Sequence, residues 1–442
     1  MKPLLSRSSS MLGFCMALAI PSIVTAADVV LQKAPPLTVR QAPAYPENLA
    51  RYHFGAAVKA TPQNDSVAKL ELSSNGKDLN TSAAALLCDD PTTGYQVPAG
   101  ASSILVSLPN IENVQTISFR NDGTQGNYTI AISNADVPEN SPEWRRVAQS
   151  AMSQGAVSAT VGPGEAKYVR LNFSITHPGR IAAFGVYATP AISDFTMPRP
   201  RKVSFEEESA TLALISFNFS DVHTKARGLY VSSADAEQAN NMIDDQPGTS
   251  YKFASGDAAP TAVIDLGRER NLSRLSAVYA AQPGNVDFYV LPALPLGENT
   301  TSDVRQVANV GAGDPPATLR ISEKTFAGLK PVGSVVSTGE GRASVDFPQV
   351  AGRYLMLTWH PASLQGEAFS IAQVAAFGVS RHASIVQGAD AKDGKDFHDG
   401  KEAIGEGPEA IGEGDVPGEG PPPALPPVPP STFIPQVLPT SP

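Results

Sequence analysis

Short runs in which hydrophobic and polar residues alternate recur through the central part of the chain. Residues 167–173 place three hydrophobic side chains on one face and three polar ones on the other, and residues 353–359 repeat this pattern. Alternation with a period of two is typical of a half-buried β-strand. Residues 82–87 and 234–242 predict at most short turns of helix. Further strands are predicted at 103–108, 116–119, 128–132 and 261–266.

Tight-turn residues separate these strands, as in the Asn121-Asp122-Gly123 and Gly126-Asn127 segments. Short strands joined by such turns favour a sandwich or jelly roll. The fold class that we predict is therefore all-β, with two antiparallel β-sandwich jelly rolls in tandem.

Two parts of the chain are similar to each other at a constant spacing. Leu108 and Leu266 are 158 residues apart (266 minus 108), and Asn113 and Asn271 keep the same spacing, as do Gly126 and Gly284. Both parts close on Ala-Phe-Gly-Val, at 183–186 and at 376–379. A period of this length is the size of a whole domain, so the pattern indicates that one domain has been duplicated.

The first residues are typical of an export signal. Lys2 and Arg7 precede an apolar stretch at 11–20, and small residues follow it. The apolar stretch is shorter than the roughly 20 residues that span a bilayer, so a signal peptide at 1–27 is favoured over a membrane anchor. Phe14 stands directly before Cys15, where a lipid-attachment site needs a small residue. We predict an exported protein that is periplasmic, extracellular or at the cell surface.

Changes in composition mark the remaining boundaries. A Pro- and Ala-rich stretch predicts a linker at 28–48, and two prolines mark another at 191–202. The jelly rolls are predicted at 49–190 and 203–382. The acidic, Gly- and Pro-rich segment 383–442 predicts a disordered tail, because it has too few apolar residues to form a core. This tail is a candidate docking arm for a protein partner.

Charge and cysteine content narrow the class further. The net charge is −10, and no basic cluster indicates a nucleic-acid partner. Removing the signal leaves Cys88 alone, so an internal disulfide is excluded. Cys88 follows two leucines, and we predict that it is a small buried hydrophobe rather than a nucleophile.

Taken together, the motifs resemble the discoidin, or coagulation-factor type C, domain of the galactose-binding-like superfamily. The resemblance rests on an acidic turn that ends in an aromatic residue (89–95), on Asp-Leu-Gly at 265–267, on Tyr-x-Ile-x-x-Ser at 128–133 followed by Trp144, and on the strands that begin at Lys167 and Arg353. The second half departs from the family pattern, because it lacks the Trp and carries a long insertion near 291–340. The resemblance implies eight-stranded jelly rolls that bind ligands, often glycans, with loops at one end.

Catalytic motifs are missing from the sequence. It contains no His-Glu-x-x-His, no Gly-x-Ser-x-Gly and no Cys/His cluster, and it offers no carboxylate pair that can be placed across a cleft. His177-Pro178 and His360-Pro361 recur in equivalent loops, which we interpret as an inherited turn rather than as ligand-facing histidines. We therefore expect no enzymatic activity.

The candidate glycan-binding residues lie at strand ends. Arg120, Asn121 and Arg180 are candidates for a polar rim, and Tyr95 and Tyr251 for sugar stacking. Arginine presents a fixed set of donors that suits vicinal hydroxyls or a carboxylate. The family pattern assigns Trp144 to core packing, and Trp359 is expected either in the core or at the rim.

Four carboxylates are weak candidates for a structural calcium ion. They are Asp89, Asp90, Asp244 and Asp245, which supply the hard oxygen ligands that calcium prefers. The glutamate that completes the cage in calcium-binding family members is missing. We therefore predict no cofactor, and we favour aspartates that cap their own turns.

Two functions remain open at this stage. The first is a non-catalytic protein that recognises a cell-surface or matrix glycan. The second is a structural scaffold of the cell envelope with no small ligand. An aromatic ring that converges with a basic or amide group at one barrel end would favour the first.

Overall fold

The chain forms two antiparallel β-sandwiches in a computed structural model. The structure describes residues 28–61, 82–162, 164–190, 214–295, 315–363 and 367–378, all of which belong to one compact unit (1–389). The predicted signal peptide, the linker at 191–202 and the tail at 383–442 lie outside the described residues. The all-β fold class predicted from the sequence is confirmed.

The first jelly roll is an eight-stranded sheet with the order β3-β9-β4-β8-β5-β6, in which β2 and β7 also pair with β4. Strand β1 (Val29–Lys33) precedes it in the chain but belongs to the other sheet. The strands of the first jelly roll are β2 (Ala57–Thr61), β3 (Gly94–Val97), β4 (Gly100–Asp122), β5 (Gln125–Ser133), β6 (Arg145–Ala151), β7 (Gly155–Thr160), β8 (Glu165–His177) and β9 (Gly179–Ala188).

The second jelly roll is a nine-stranded sheet with the order β14-β1-β10-β12-β16-β13-β15, and β17 pairs with β11 and β12. Its further strands are β10 (Arg227–Val231), β11 (Tyr251–Lys252), β12 (Thr261–Tyr279), β13 (Pro283–Leu291), β14 (Thr318–Ile321), β15 (Gly333–Thr338), β16 (Arg342–Pro361) and β17 (Ser370–Phe377).

Helical structure is short in the described part of the chain, as the sequence predicts. One α-helix, α1 (Glu323–Gly328), begins at the cap Ser322, whose side chain accepts a hydrogen bond from the Thr325 amide. The 3-10 turns are Val39–Ala44, Tyr52–Phe54, Ala83–Leu87, Val222–Thr224 and Ala236–Met242.

In each jelly roll, a long strand passes from one layer of the sandwich to the other. In β4, residues up to Asn113 pair with β8 and residues from Val114 onward pair with β7 and β9. Strand β12 pairs with β16 along most of its length, and its last residues, 274–279, also pair with β17. The strand registers of the two jelly rolls are also equivalent here. Ser107 pairs with Tyr168, and Asp265, which lies 158 residues after Ser107, pairs with Tyr354.

The final strands match each other in a different register from the one that the repeated motif predicts. Ile117 pairs with Val186, and Leu275, which lies 158 residues after Ile117, pairs with Ala376. Val186 is the last residue of its Ala-Phe-Gly-Val segment, whereas Ala376 is the first residue of the other. The equivalence assumed for the two segments is therefore wrong by three residues; Val379 lies outside the described part.

Two glycines of the repeated pattern are explained by close strand approach. A Cβ atom on Gly126 would lie 2.2 Å from the Ser174 carbonyl oxygen, and one on Gly284 would lie 2.3 Å from the Trp359 ring. Distances this short exclude any side chain, so glycine is required at both positions.

The prediction of a linker at 28–48 is wrong, because this segment contains a paired strand. Strand β1 pairs with β10 and β14, and Leu31 is fully buried. Asn48 bridges to Tyr187 and donates a hydrogen bond to the Phe184 carbonyl. The prolines of this segment lie outside the strand, so composition concealed it. The insertion predicted near 291–340 contributes β14, which is the other neighbour of β1.

Each jelly roll has its own hydrophobic core. Trp359 lies in the second core with 1 % of its surface exposed and stacks on Phe369 at 4.5 Å. Trp144 is not a core residue, because it is half-buried beneath the Arg170 guanidinium, 4.1 Å from the ring centre. The Cys88 thiol is buried, as the sequence predicts, and burial raises its pKa.

Replacing Leu31 tests the place of β1 in the second sheet. We expect Leu31→Ala to lower the free energy of unfolding by about 2–5 kcal/mol, because it opens a cavity in a packed core. The matched control is Val30→Ala, at a position that is 39 % exposed on the same strand. Urea unfolding of the full chain measures both, and equal small losses would restore the linker interpretation.

Candidate functional site

The loops predicted to form a ligand-binding rim lie at the contact between the two jelly rolls, which we call the junction. Asp90 of the first jelly roll accepts a hydrogen bond from the Arg274 Nε of β12 at 2.8 Å, and the two side chains are 0 % and 1 % exposed. Burial alone would raise the pKa of Asp90, but the Arg274 charge holds it below its ordinary value. Arg274 also binds Asp346 at 2.9 Å. This buried charge pair therefore joins the two jelly rolls.

Asp89 forms a second contact across the junction. Its Oδ2 atom accepts a hydrogen bond from the Asn218 amide at 2.9 Å, and its Oδ1 atom lies 3.2 Å from His53 Nδ1. Burial opposes the charge on Asp89, but His53 and Arg51 lower its pKa to about 2. Asp89 is therefore a buried carboxylate whose neighbours keep it ionised.

Arg51 connects the jelly rolls through Asp245. The Arg51 Nε atom donates to Asp245 Oδ2 at 2.6 Å, and Nη1 donates to the Cys88 carbonyl at 2.6 Å. The Tyr187 hydroxyl donates to the backbone carbonyl of Asp245 at 2.7 Å. Burial raises the pKa of Asp245 to about 6 in spite of the Arg51 charge. Both ends of Asp245 are thus held by the first jelly roll.

The three polar rim candidates are brought together, but they are directed at protein partners. Arg180 donates to Asp122 Oδ2 and to the Thr92 carbonyl, each at 2.5 Å, and Arg120 donates to Asp122 Oδ1 at 2.9 Å. Asn121 is buried and donates to the carbonyl oxygens of Thr124 and Ser153, each at 2.9 Å. Arg342 of the second jelly roll lies 3.6 Å from Asp122. This part of the rim is a structural cluster of ion pairs. Its most exposed member is Arg120, whose side chain is 23 % exposed.

The two tyrosines predicted to stack on sugars are core residues. Tyr95 and Tyr251 are each 1 % exposed, and each lies on a strand that pairs with the last strand of its sandwich. Neither ring presents a face to solvent. The expectation of aromatic stacking at these positions is therefore wrong, because both rings are buried in the sandwich cores.

The carboxylates considered for calcium serve as turn caps and ion-pair partners. Asp90 accepts from the Thr92 amide at 2.9 Å, and Asp244 accepts from the Gln246 amide at 3.1 Å. These bonds confirm the interpretation of aspartates that cap their own turns. Within the described ranges, no group of three or more His, Cys, Asp or Glu residues is arranged to hold a metal ion.

Several junction residues were missed from the sequence. Arg51, His53 and Arg274 each hold a candidate residue in place, yet none belongs to the repeated motif. Only Arg274 could have been found from the sequence. It is a charged residue beside Leu275 in a hydrophobic strand, and a charge in that position needs a buried partner.

His223 anchors the N-terminal segment to the second jelly roll. Its Nδ1 atom lies 2.9 Å from Asp221 Oδ1, and its Nε2 atom lies 3.0 Å from the Tyr45 carbonyl. Burial alone would lower the pKa of His223, but Asp221 raises it to about 9. The charged imidazolium is therefore the form that the fold favours.

An open groove lies beside the junction, and we call it the junction groove. The space inside it that a water-sized molecule can occupy is about 110 Å³. Strands β4, β7 and β9 of the first jelly roll form one wall, with Thr116, Ser118, Ser158 and Tyr187, and the turn that carries Gln246 and Thr249 forms the other. None of its 12 lining residues is charged.

Comparisons with known proteins give similarity at the level of fold only. No protein-family profile matches the chain, and no curated protein sequence matches it. Chitosan-binding module 1 of a chitosanase/glucanase from Paenibacillus sp. is 22 % identical over 32 % of this chain and 99 % of the module, with a TM-score of 0.26. A fucolectin from striped bass is 13 % identical over 76 % of this chain and 99 % of its own, with a TM-score of 0.25.

A fucosidase from Ruminococcus gnavus is 16 % identical over 33 % of this chain, with a TM-score of 0.26. The chain covers 27 % of the length of that fucosidase. The fold assignment rests on the strand topology and not on these similarities. In the described segments, no helix is both long and apolar enough to cross a membrane.

Breaking the buried pair at the junction should be costly. We expect Asp90→Asn to lower the free energy of unfolding by about 3–5 kcal/mol, because Arg274 then keeps a buried charge without its main partner. The control is Asp346→Asn, since Asp346 binds the same arginine but is 44 % exposed. Its loss should stay below about 1 kcal/mol. Equal losses for the two variants in urea unfolding would contradict the assigned role of Asp90.

The raised pKa of His223 predicts a pH dependence of stability. The contribution of its charge is fully present below the ordinary value of about 6.5 and is lost as the pH rises through about 9. The difference corresponds to at most about 3 kcal/mol. The thermal midpoint of the wild type should therefore fall more steeply over this range than that of His223→Gln. The control is His360→Gln, at a position 42 % exposed; the same slope in all three proteins would contradict the prediction.

Proposed function

We propose that this protein is an exported, non-catalytic carbohydrate-binding protein in which two discoidin-like jelly rolls act as one rigid body. The observation that carries the proposal is the chemistry of the junction groove, which combines hydroxyl and amide side chains with an uncharged lining. Saccharides present hydroxyl groups that pair with such side chains. The basic N-terminus and apolar stretch at 11–20 support export.

We also infer that the two jelly rolls arose by duplication of one domain. The spacing of 158 residues between Ser107 and Asp265 is matched by equivalent pairing of both with a tyrosine on the neighbouring strand. The matching requirement for glycine at Gly126 and Gly284 supports the same inference.

A structural scaffold of the cell envelope is the second candidate. It is favoured by the engagement of the predicted rim in the junction, where Arg274 pairs with Asp90 and Arg342 approaches Asp122. A scaffold needs rigidity and has no need for an open saccharide site. In this case the tail would act as the docking arm.

The two candidates differ in what the full chain binds. We expect affinity electrophoresis of the mature protein through gels that contain soluble polysaccharides to show retardation by at least one of them, with weak affinity and no release of reducing ends. Arg120→Ala should migrate as the wild type does, because Arg120 is directed at Asp122 and lies outside the junction groove. If none of the neutral and acidic polysaccharides retards the protein, the result would contradict carbohydrate binding and favour the structural scaffold.

A further inference from the structure

We propose that the junction groove is the binding site and that its ligand is a neutral saccharide. This inference rests on the proposed carbohydrate-binding function and deepens it by naming the site and the class of sugar. It replaces the rim of the first jelly roll, where Arg120, Asn121 and Arg180 are committed to Asp122 and to backbone carbonyls.

The groove is small and shallow. The space inside it that a water-sized molecule can occupy is about 110 Å³, below the roughly 300–1,000 Å³ of usual small-molecule sites, so a ligand would contact it with only part of its surface. The groove is open, so a chain could enter at one side and continue into solvent. It is also composite, since its walls come from both jelly rolls.

The lack of charge determines the class of sugar. A uronate, sulfate or phosphate group would lose hydrating water on entering the groove. Because the groove has no arginine or lysine to pair with it, this desolvation would cost free energy. Burial raises the pKa of Tyr187 well above its ordinary value, so the phenol also stays neutral. A neutral saccharide carries no such cost.

Hydroxyl groups of the first wall are available to a ligand. Thr116 and Ser158 lie on neighbouring strands, and neither side chain makes a hydrogen bond within the described parts of the chain. Ser118 is 5 % exposed and lies beside the Tyr187 hydroxyl, but its Oγ atom makes no hydrogen bond of ordinary geometry. A buried hydroxyl in this state gains free energy from a ligand hydroxyl.

The second wall is held in place before any ligand arrives. The Thr249 hydroxyl lies 2.8 Å from Asp244 Oδ2, and the Gln246 side chain donates to the Ala44 carbonyl at 3.0 Å. The Tyr187 hydroxyl fixes the same turn through the Asp245 carbonyl. Preorganised walls reduce the ordering cost of binding, so a shallow groove can still bind with useful affinity.

Filling the groove tests the site. We expect Ser158→Tyr to weaken binding of the full chain to neutral polysaccharides at least tenfold, because the new ring occupies the space between the walls. The matched control is Ser150→Tyr, at an exposed position on β6 outside the groove. Ala156→Tyr, at an exposed groove position, provides a second blocking variant if the first does not fold.

The probes are dextran, galactomannan and xyloglucan as neutral polymers and alginate as a polyuronate, each in affinity electrophoresis at low and high sodium chloride. We expect a neutral polymer to bind the wild type and Ser150→Tyr equally, with little change on adding salt, and alginate not to bind. Wild-type binding that Ser158→Tyr and Ala156→Tyr both retain would overturn the site while leaving the proposed function intact. Preference for alginate would overturn the class of sugar, and binding of no polymer would overturn the proposed function itself.

Discussion

The buried pairing of Asp90 with Arg274 is the interaction on which the arrangement of the two jelly rolls depends. Both side chains are almost completely removed from water, and each would carry an uncompensated charge if the jelly rolls packed in another register. Arg51 and Asp245 impose the same condition a short distance away. Such pairs add little net stability, because desolvation offsets their attraction, but they select one packing geometry. We interpret the junction as the contact that fixes the two sandwiches relative to each other.

This constraint explains why the expected ligand-binding rim is closed. Loops at the end of a jelly roll are open to ligands only when no other domain covers them. Here the turn of Asp89 and Asp90 contacts the second jelly roll, and Arg120 and Arg180 neutralise Asp122. The same packing creates the junction groove, since Tyr187 of β9 and Arg51 hold the turn of Asp244 and Asp245 beside the groove residues of β4. Loss of one surface and formation of the other therefore have a common cause.

Sequence patterns predicted what depends on local alternation and could not predict what depends on distant partners. The strands, the short helical turns and the buried Cys88 follow from neighbouring residues. The sequence predicts a linker where strand β1 lies, because the partners of β1 in β10 and β14 are far away in the chain. It predicts Tyr95 and Tyr251 at a rim, because the direction of a strand after a turn is not encoded in its composition. The partners of Asp89 and Asp90 come from Arg51, His53 and Arg274, and nothing in the repeated motif points to them.

Calorimetry of the full chain tests the central claim most directly. If the buried charge pairs and the segment from Ile215 to Asn218 couple the sandwiches, heating should produce one cooperative transition with equal calorimetric and van't Hoff enthalpies. That enthalpy should account for both jelly rolls together. Two separate transitions, each with the enthalpy of a single sandwich, would contradict the rigid body and with it the assembly of the junction groove.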